Sequence, residues 1–305
     1  MLRVLIAILI IVGLIIFFTG EYAFYLAFTK HKKTEDEAYK YLEERRILDK
    51  KIYKEVQIEE VYTKSKDNLK LKGYLIEKYK NSNRYMILVH GFTANHHIHM
   101  PFVRLFINEG FNILLVDERN HGESEGKYPS YGYFEQEDIN RWIEFLYDRK
   151  KTDLFLGLHG QSMGGATVLM CGSKNEKVDF IIDDCGYSSA RRVMESELRR
   201  NKAFVALFYK LLWIKAKLRI GFDINKVEPI EDIKNCNKPI LFIHGDNDKK
   251  VPCDMAYEMY KSRNNKDDRL FIVEGAEHMW AYPLKKKEYE KVVHEFIQNA
   301  ERLQG

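Results

Sequence analysis

Residues 154–166 of the chain read LFLGLHGQSMGGA, an apolar segment that runs into the pattern Gly-x-Ser-x-Gly. The apolar part predicts a buried strand, and the residues after Ser162 predict a helix. A serine in a tight strand-to-helix turn presents its hydroxyl, and small residues two positions away let the backbone turn without a clash. The amide of Met163, at the helix start, would then face the place where an oxyanion forms. Ser162 is therefore a candidate nucleophile.

A base and an acid for this serine are found further along the chain. A serine hydroxyl is a weak nucleophile unless a base takes its proton and a third group orients that base. Residues 244–252 read HGDNDKKVP and residues 275–278 read GAEH, and each stretch follows a predicted strand. The sites of open α/β sheets gather in such loops. His278 is the candidate base, and both Asp246 and Asp248 are candidates for the acid.

A second donor for the oxyanion is predicted upstream of the serine. The predicted strand that begins at Tyr85 ends in His90-Gly91-Phe92. Because glycine lets the backbone come close, the amide of Phe92 can face the amide of Met163 across the nucleophile.

From residue 55 onward, short strand-like runs alternate with helical ones, which predicts an α/β fold. Runs such as 113–116 and 240–243 are continuously apolar, as expected of parallel strands covered on both faces. The first two runs alternate, which predicts an antiparallel edge. The predicted strands are 56–62, 69–77, 85–90, 112–117, 153–159, 178–183, 239–244 and 269–273. The predicted helices are 101–109, 135–149, 163–174, 254–263 and 285–302.

Residues 55–305 resemble the α/β-hydrolase superfamily, and within it the bacterial serine-hydrolase and Bem46-like proteins with a serine aminopeptidase-type domain. The resemblance rests on the motifs above and on residues 117–126, which read DERNHGESEG. It implies an eight-stranded, mostly parallel sheet with helices on both faces, and it implies that Asp248 rather than Asp246 is the acid. The superfamily includes esterases, lipases, thioesterases, peptidases and some non-enzymes, so the resemblance indicates the triad more sharply than the substrate.

The N-terminal end is expected to be a membrane anchor. The mean hydropathy of −0.41 excludes a polytopic membrane protein. Residues 4–18 are nonetheless uninterruptedly apolar, and extended to residue 20 they reach about the shortest length that spans a bilayer. The small-residue cleavage site of a signal peptide is lacking. We predict a single-pass transmembrane anchor over residues 1–28, a helical stalk over 29–54, and a catalytic domain over 55–305.

The side of the membrane that the catalytic domain occupies stays open. Lys30, Lys32 and Lys33 follow the apolar segment, and only Arg3 and the amino terminus precede it, which favours a cytoplasmic domain. Very short N-terminal tails, which commonly stay inside, favour the opposite side.

The interval 187–236 is too long for one crossover, and we predict that it forms a helical cap over Ser162. Within it, residues 191–220 hold nine basic and two acidic side chains, although the whole chain has a net charge of only +4. Apolar residues recur there at helical spacing. The segment either packs its apolar face on the catalytic domain with its lysines in water, or rests on anionic lipid head groups and receives acyl chains.

Several other residues are expected to be structural. His96, His97 and His99 lack the helical spacing of metal ligands, so no metal is expected. His121 and Ser124 are expected to shape their loop rather than to form a second catalytic pair. The four cysteines are widely spaced, which predicts neither a disulfide framework nor a zinc site.

These features predict a membrane-anchored serine hydrolase that cleaves carboxylic esters of small molecules or lipids. It would use Ser162, His278 and Asp248 as its triad and the amides of Phe92 and Met163 as its oxyanion hole. No cofactor and no nucleic-acid partner are expected; the membrane would be contacted through the N-terminal helix and, in one interpretation, through the basic cap. The alternatives are an aminopeptidase-type serine peptidase, a thioesterase, and a catalytically silent membrane scaffold.

Overall fold

The computed structural model describes residues 1–197 and 202–303. Within these residues it has the eight predicted strands, all in one sheet. The strands are β1 Glu59–Lys64, β2 Lys70–Ile76, β3 Arg84–Val89, β4 Asn112–Val116, β5 Phe155–Gln161, β6 Phe180–Asp184, β7 Ile240–Gly245 and β8 Arg269–Val273.

The sheet has the strand order β1-β2-β4-β3-β5-β6-β7-β8. The β1 strand pairs with β2, and β2 with β4, in antiparallel fashion, whereas the remaining neighbours are parallel. The predicted antiparallel edge and mostly parallel sheet are therefore confirmed. Because β3, β5 and β6 run parallel side by side, their carboxyl ends bring the loops that follow them to one edge.

Helices cover both faces of this sheet. The described helices are α1 Leu2–Phe28, α2 Glu35–Glu44, α3 Ile52–Glu55, α4 Met100–Asn108, α5 Glu135–Lys150, α6 Met163–Gly172, α7 Ala190–Glu197, α8 Lys202–Arg219, α9 Pro229–Ile233, α10 Asp254–Lys261, α11 Ala281–Leu284 and α12 Lys286–Arg302. Successive residues of a strand enter opposite cores: Ile87 belongs to the core that includes Trp142 of α5, whereas Met86 belongs to the core that includes Phe296 of α12. This two-sided burial explains the continuously apolar strands.

The predicted cap segment forms α7, α8, the short helix α9 and the turns between them, all between β6 and β7. Phe208, Leu212 and Ala216 of α8 are buried, which agrees with an apolar face packed on the catalytic domain. Leu207 and Leu218 of the same helix are exposed. Of the predicted basic residues, Arg199 and Arg200 lie outside the described residues.

The N-terminal helix α1 has two parts. From Leu2 to Phe18 its side chains are exposed, and the helix is long and apolar enough to cross a membrane, a property that a signal sequence shares. Its last turns are buried against the cap segment through Phe24 and Phe28. There the Glu21 carboxylate accepts hydrogen bonds from two basic side chains of α8, Lys215 at 2.6 Å and Arg219 at 2.6 and 2.9 Å.

The segment over 29–54, predicted as a helical stalk, differs from that expectation because it packs on the body. The predicted capping box is present, since the Thr34 side chain accepts a hydrogen bond from the Glu37 amide and the Glu37 side chain accepts one from Thr34. The helix that it starts, α2, is only ten residues long, and its Leu42 is buried against Ala94 and Ile98. An apolar stripe on a short helix has to be covered, which is why the segment lies against the domain.

Candidate active site

Ser162 lies in the predicted turn between β5 and α6. Its φ of 57° is in a region that non-glycine residues rarely adopt, as a sharp strand-to-helix turn requires. The two motif glycines make room for this turn. A Cβ on Gly160 would lie 2.1 Å from the carbonyl oxygen of Gly164, and a Cβ on Gly164 would lie 2.1 Å from the carbonyl oxygen of Val89.

The structure brings Ser162, His278 and Asp248 into one hydrogen-bonded chain. The Nε2 atom of His278 lies 2.9 Å from the Ser162 hydroxyl oxygen, and its Nδ1 atom lies 2.6 Å from Oδ2 of Asp248. The competing acid, Asp246, instead accepts a hydrogen bond from the amide of Gly275 at 2.7 Å. A base in contact with both a serine and a carboxylate has the geometry that activates a nucleophile.

The Asp248 carboxylate is fully buried and held on both oxygens. The amides of Lys250 and Val251 donate to Oδ1 at 2.8 and 2.9 Å. Burial alone would raise the pKa of Asp248, but hydrogen bonds from His244 and His278 outweigh it and hold the pKa well below its usual range. The acid therefore stays ionised beside His278.

The sequence pattern gave no role to His244, although this residue begins the stretch 244–252 that contains Asp248. Its Nε2 atom lies 2.9 Å from the carbonyl oxygen of Val251 and 3.4 Å from Oδ2 of Asp248. Burial lowers the pKa of His244, but the hydrogen bonds with Asp248 and the Val251 carbonyl and the charges of Asp248 and Asp183 together raise it more, so the net shift is upward. The signal available in the sequence was the position of this histidine, near the end of β7 and four residues before Asp248.

The two predicted oxyanion donors lie next to Ser162. Met163 is the first residue of α6. Phe92 follows Gly91, where a Cβ would come within 3.1 Å of the Ser162 Cβ.

The loop that carries Phe92 is supported by His121, whose Nε2 accepts a hydrogen bond from the Thr93 amide at 3.0 Å. Since burial lowers the pKa of His121 to about 3, its ring stays neutral and can accept this bond. This contact matches the predicted loop-shaping role.

A cavity of about 220 Å³ opens onto Ser162 and His278. Its wall includes residues of the N-terminal helix α1, residues of the cap segment, and four basic side chains. The residues from α1 are Ala23, Leu26 and Ala27, those from the cap segment include Met194, Phe208 and Leu212, and the basic ones are Lys30, Lys33, Arg45 and Lys250. The nucleophile thus faces a concave cavity with apolar and basic walls, the kind of place where substrates bind.

Comparisons with known proteins identify the family of the chain. Residues 85–186 match the family model described as the alpha/beta hydrolase fold. The chain is 32% identical over 234 residues to the uncharacterized protein YqkD of Bacillus subtilis, and the match spans 75% of each chain. The chain belongs to the α/β-hydrolase superfamily.

A further relative and one solved structure are also similar to this chain. The α/β-hydrolase chain is 31% identical over 170 residues to the thiohydrolase aneE of Aspergillus aculeatus, a match that covers 52% of this chain and 51% of the relative. It shares its fold with the esterase Pf2001 of Pyrococcus furiosus at a TM-score of 0.66 and 22% identity, over 80% of this chain and 93% of the esterase.

One group outside the triad has the spacing of metal ligands in this α/β-hydrolase. The side chains of Glu35, His96 and His97 bring ligand atoms within 4.8 Å of one another. The Nδ1 atom of His96 already lies 3.0 Å from a carboxylate oxygen of Asp117. The expectation that no metal binds here stays a prediction.

Proposed function

We propose that the chain is a membrane-anchored serine hydrolase that cleaves carboxylic esters. The observation that supports it most directly is the hydrogen-bonded chain from the Ser162 hydroxyl through His278 to the buried Asp248, which ends at a cavity. Neither distance exceeds 2.9 Å, so the serine proton has an acceptor without any movement of the backbone.

In the proposed reaction, His278 takes the proton of the Ser162 hydroxyl as Oγ attacks the ester carbonyl carbon. The amides of Phe92 and Met163 stabilise the resulting oxyanion, and the ionised Asp248 stabilises the protonated imidazole. The C–O bond to the alcohol then breaks, and His278 gives its proton to the departing oxygen. Water, activated by the same imidazole, attacks the acyl-enzyme and releases the acid and the serine.

The shape of α1 supports membrane anchoring. Its exposed apolar part is followed by Tyr22 and Tyr25, both exposed, and aromatic rings of this kind are enriched at membrane interfaces. Exposed Leu207 and Leu218 on α8 give the basic cap segment an apolar surface close to α1, which supports contact with lipid.

The side of the membrane on which the catalytic domain lies is to be measured by adding protease to intact cells. Loss of the domain while a cytosolic marker survives would contradict a cytoplasmic location.

A thioesterase is the second candidate, because one relative with 31% identity is named a thiohydrolase. The same serine would attack the carbonyl carbon of an acyl thioester; the C–S bond would break, and the thiol would leave with the proton from His278. Turnover of p-nitrophenyl esters of graded chain length should therefore be compared with that of acyl thioesters and aminoacyl anilides. Faster turnover of the thioesters would replace the ester assignment, and faster turnover of the anilides would indicate a peptidase.

The proposed nucleophile is tested separately with a fluorophosphonate probe on the full chain in detergent. We expect the wild type to be labelled and Ser162→Ala to remain unlabelled. Equal labelling of the two proteins, or no labelling of the folded wild type, would remove the triad and favour the silent scaffold.

A further inference from the structure

Four basic side chains line the cavity that holds Ser162, and they come from three separate places in the chain. Lys30 and Lys33 follow α1, Arg45 ends α2, and Lys250 belongs to the loop that carries the acid. Among the described residues that line the cavity, none is an aspartate or a glutamate. The wall is therefore strongly positive on balance, which favours a negatively charged occupant.

Backbone contacts hold Lys33 close to the proposed oxyanion loop. Its amide donates a hydrogen bond to the Thr93 carbonyl at 2.9 Å, and its carbonyl accepts one from the Asn95 side chain at 3.1 Å. Thr93 directly follows Phe92. The position of this lysine is thus tied to the same loop that would bind the oxyanion.

Two aromatic rings hold the Arg45 guanidinium. It lies 4.2 Å from the ring centre of Tyr41 and 4.5 Å from that of Trp280. Such stacking orients the planar group and leaves its edge for a carboxylate or a phosphate. The Nη1 atom of Arg45 is buried, and among the described residues it has no hydrogen-bond partner.

Glu37 and Glu277 lie near Lys33 and Arg45, but neither carboxylate pairs with them in the described structure. Among the side chains that the structure describes, those of residues 1–196 and 205–303, no carboxylate forms an ion pair with any of the four. Glu37, the acidic neighbour of Lys33, already accepts hydrogen bonds from His31 and from the Thr34 amide, each at 2.8 Å. Burial lowers the pKa of Lys33, and the nearby charges of Lys250, Lys30 and Arg45 lower it further, whereas the charge of Glu37 opposes them without reversing the shift. Partly buried like charges repel one another, and an anion among them would remove this repulsion.

We propose that Lys33 and Arg45, assisted by Lys30 and Lys250, bind an anionic group of the ester that Ser162 attacks. The anion is a carboxylate or a phosphate, the two groups that a guanidinium binds through paired hydrogen bonds. The inference rests on the proposed function, since it assigns a substrate class to the same site. The more exposed Lys30 and Lys250 would mainly attract the anion, whereas Lys33 and Arg45 would contact it.

The apolar part of the cavity fits the rest of such a molecule. Leu26 of α1 and Phe208 and Leu212 of α8 form a surface that an acyl chain can contact. The substrate would thus be an acyl ester that carries a negative charge, either a soluble molecule or a lipid with an anionic head group.

Two matched substrate pairs test this inference on the full chain in detergent. The soluble pair is p-nitrophenyl hexanoate and mono-p-nitrophenyl adipate, which differ by one carboxylate. The lipid pair is 1-oleoylglycerol and 1-oleoylglycerol 3-phosphate, which differ by one phosphate. We expect the wild type to have the higher kcat/KM for the anionic member of at least one pair. Preference within the soluble pair alone would assign a soluble ester, and preference within the lipid pair would assign a head group.

The ratio of kcat/KM for the anionic to that for the neutral member is the quantity to follow in variants. Lys33→Met and Arg45→Met should each lower this ratio by about 10- to 100-fold, the range expected for loss of one charge-assisted contact. Lys287→Met, on the exposed side of α12, removes the same charge outside the cavity and should leave the ratio unchanged. Fluorophosphonate labelling identifies any variant that has lost its folded site, and Lys250→Met then serves as the further cavity variant.

The outcomes separate this inference from the proposed function. If the wild type hydrolyses the neutral esters at least as fast as the anionic ones in both pairs, the inference is wrong while the serine hydrolase stands. An unchanged ratio in both Lys33→Met and Arg45→Met would also overturn it. If none of the four esters is hydrolysed and the probe does not label Ser162, the proposed function itself fails.

Discussion

Replacement of Asp248 by asparagine should abolish most activity without unfolding the protein. In the wild type, two backbone amides donate to Oδ1 of Asp248, at 2.8 and 2.9 Å. An asparagine would place its oxygen there, because its NH2 group cannot accept those bonds. Its NH2 group would then face Nδ1 of His278, which lies 2.6 Å from Oδ2 in the wild type.

The magnitude follows from the tautomer that this arrangement imposes on His278. To accept from the NH2 group, Nδ1 must be unprotonated, so the ring proton moves to Nε2. That nitrogen lies 2.9 Å from the Ser162 hydroxyl and could no longer take its proton. Loss of the correct tautomer in a triad lowers kcat by about 10⁴-fold, which corresponds to about 5 kcal/mol in activation free energy.

The assay is the kcat for p-nitrophenyl hexanoate, with melting temperature as the check on folding. Asp246→Asn is the matched control, because it makes the same change two residues away. Its carboxylate accepts only the Gly275 amide in the described structure, a bond that an asparagine oxygen can also accept. We expect this control to stay within about threefold of the wild type. The reasoning would be refuted if Asp248→Asn kept more than about a tenth of the wild-type kcat. It would also be refuted if Asp246→Asn lost more of the wild-type kcat than Asp248→Asn does.

Three further predictions concern stability and the N-terminal helix. Burial would raise the pKa of Asp117, but hydrogen bonds from a histidine hold it at about 2. The stabilisation is therefore complete above the unfolded-state pKa and is lost as the pH falls through the folded-state pKa. Asp117→Asn should lower the free energy of unfolding by about 2 kcal/mol at neutral pH and flatten its decline in acid, as measured by urea denaturation. Gly164→Ala would place a Cβ 2.1 Å from a backbone carbonyl oxygen and should lower the melting temperature, unlike Gly13→Ala, where nothing lies within 4 Å. Removal of residues 1–19 should release the protein from the membrane fraction with its soluble-ester activity intact, whereas removal of residues 1–28 should also reduce that activity, because α1 lines the cavity.

The fold and the candidate triad were largely predictable because their signals are local. A serine turn with two obligatory glycines and continuously apolar strands depend on neighbours in sequence, and the structure has them where they were predicted. The choice between Asp246 and Asp248 was of another kind. Both lie in one loop, so residue type and position leave the two open; the resemblance indicates Asp248, and in the structure it is Asp248 that lies within hydrogen-bond distance of His278.

The contribution of the N-terminal residues to the cavity could not be predicted from their sequence. Phe24 and Phe28 are aromatic, as residues at a membrane interface often are, yet in the structure they pack against the cap segment. The same aromatic side chains suit both environments. Lys33 and Arg45 belong to a segment predicted as a stalk, and their place at the cavity depends on long-range contacts such as that between Arg45 and Trp280.

The continuity of α1 has a consequence for how the enzyme would meet its substrate. One helix runs from Leu2 to Phe28, and its last turns are part of the cavity wall, so no flexible linker separates the apolar segment from the active site. With this helix in a bilayer, as proposed, the cavity would keep a fixed height and tilt above the lipid surface. The enzyme would then search in two dimensions, and its rate would follow the mole fraction of substrate in its own leaflet rather than the bulk concentration.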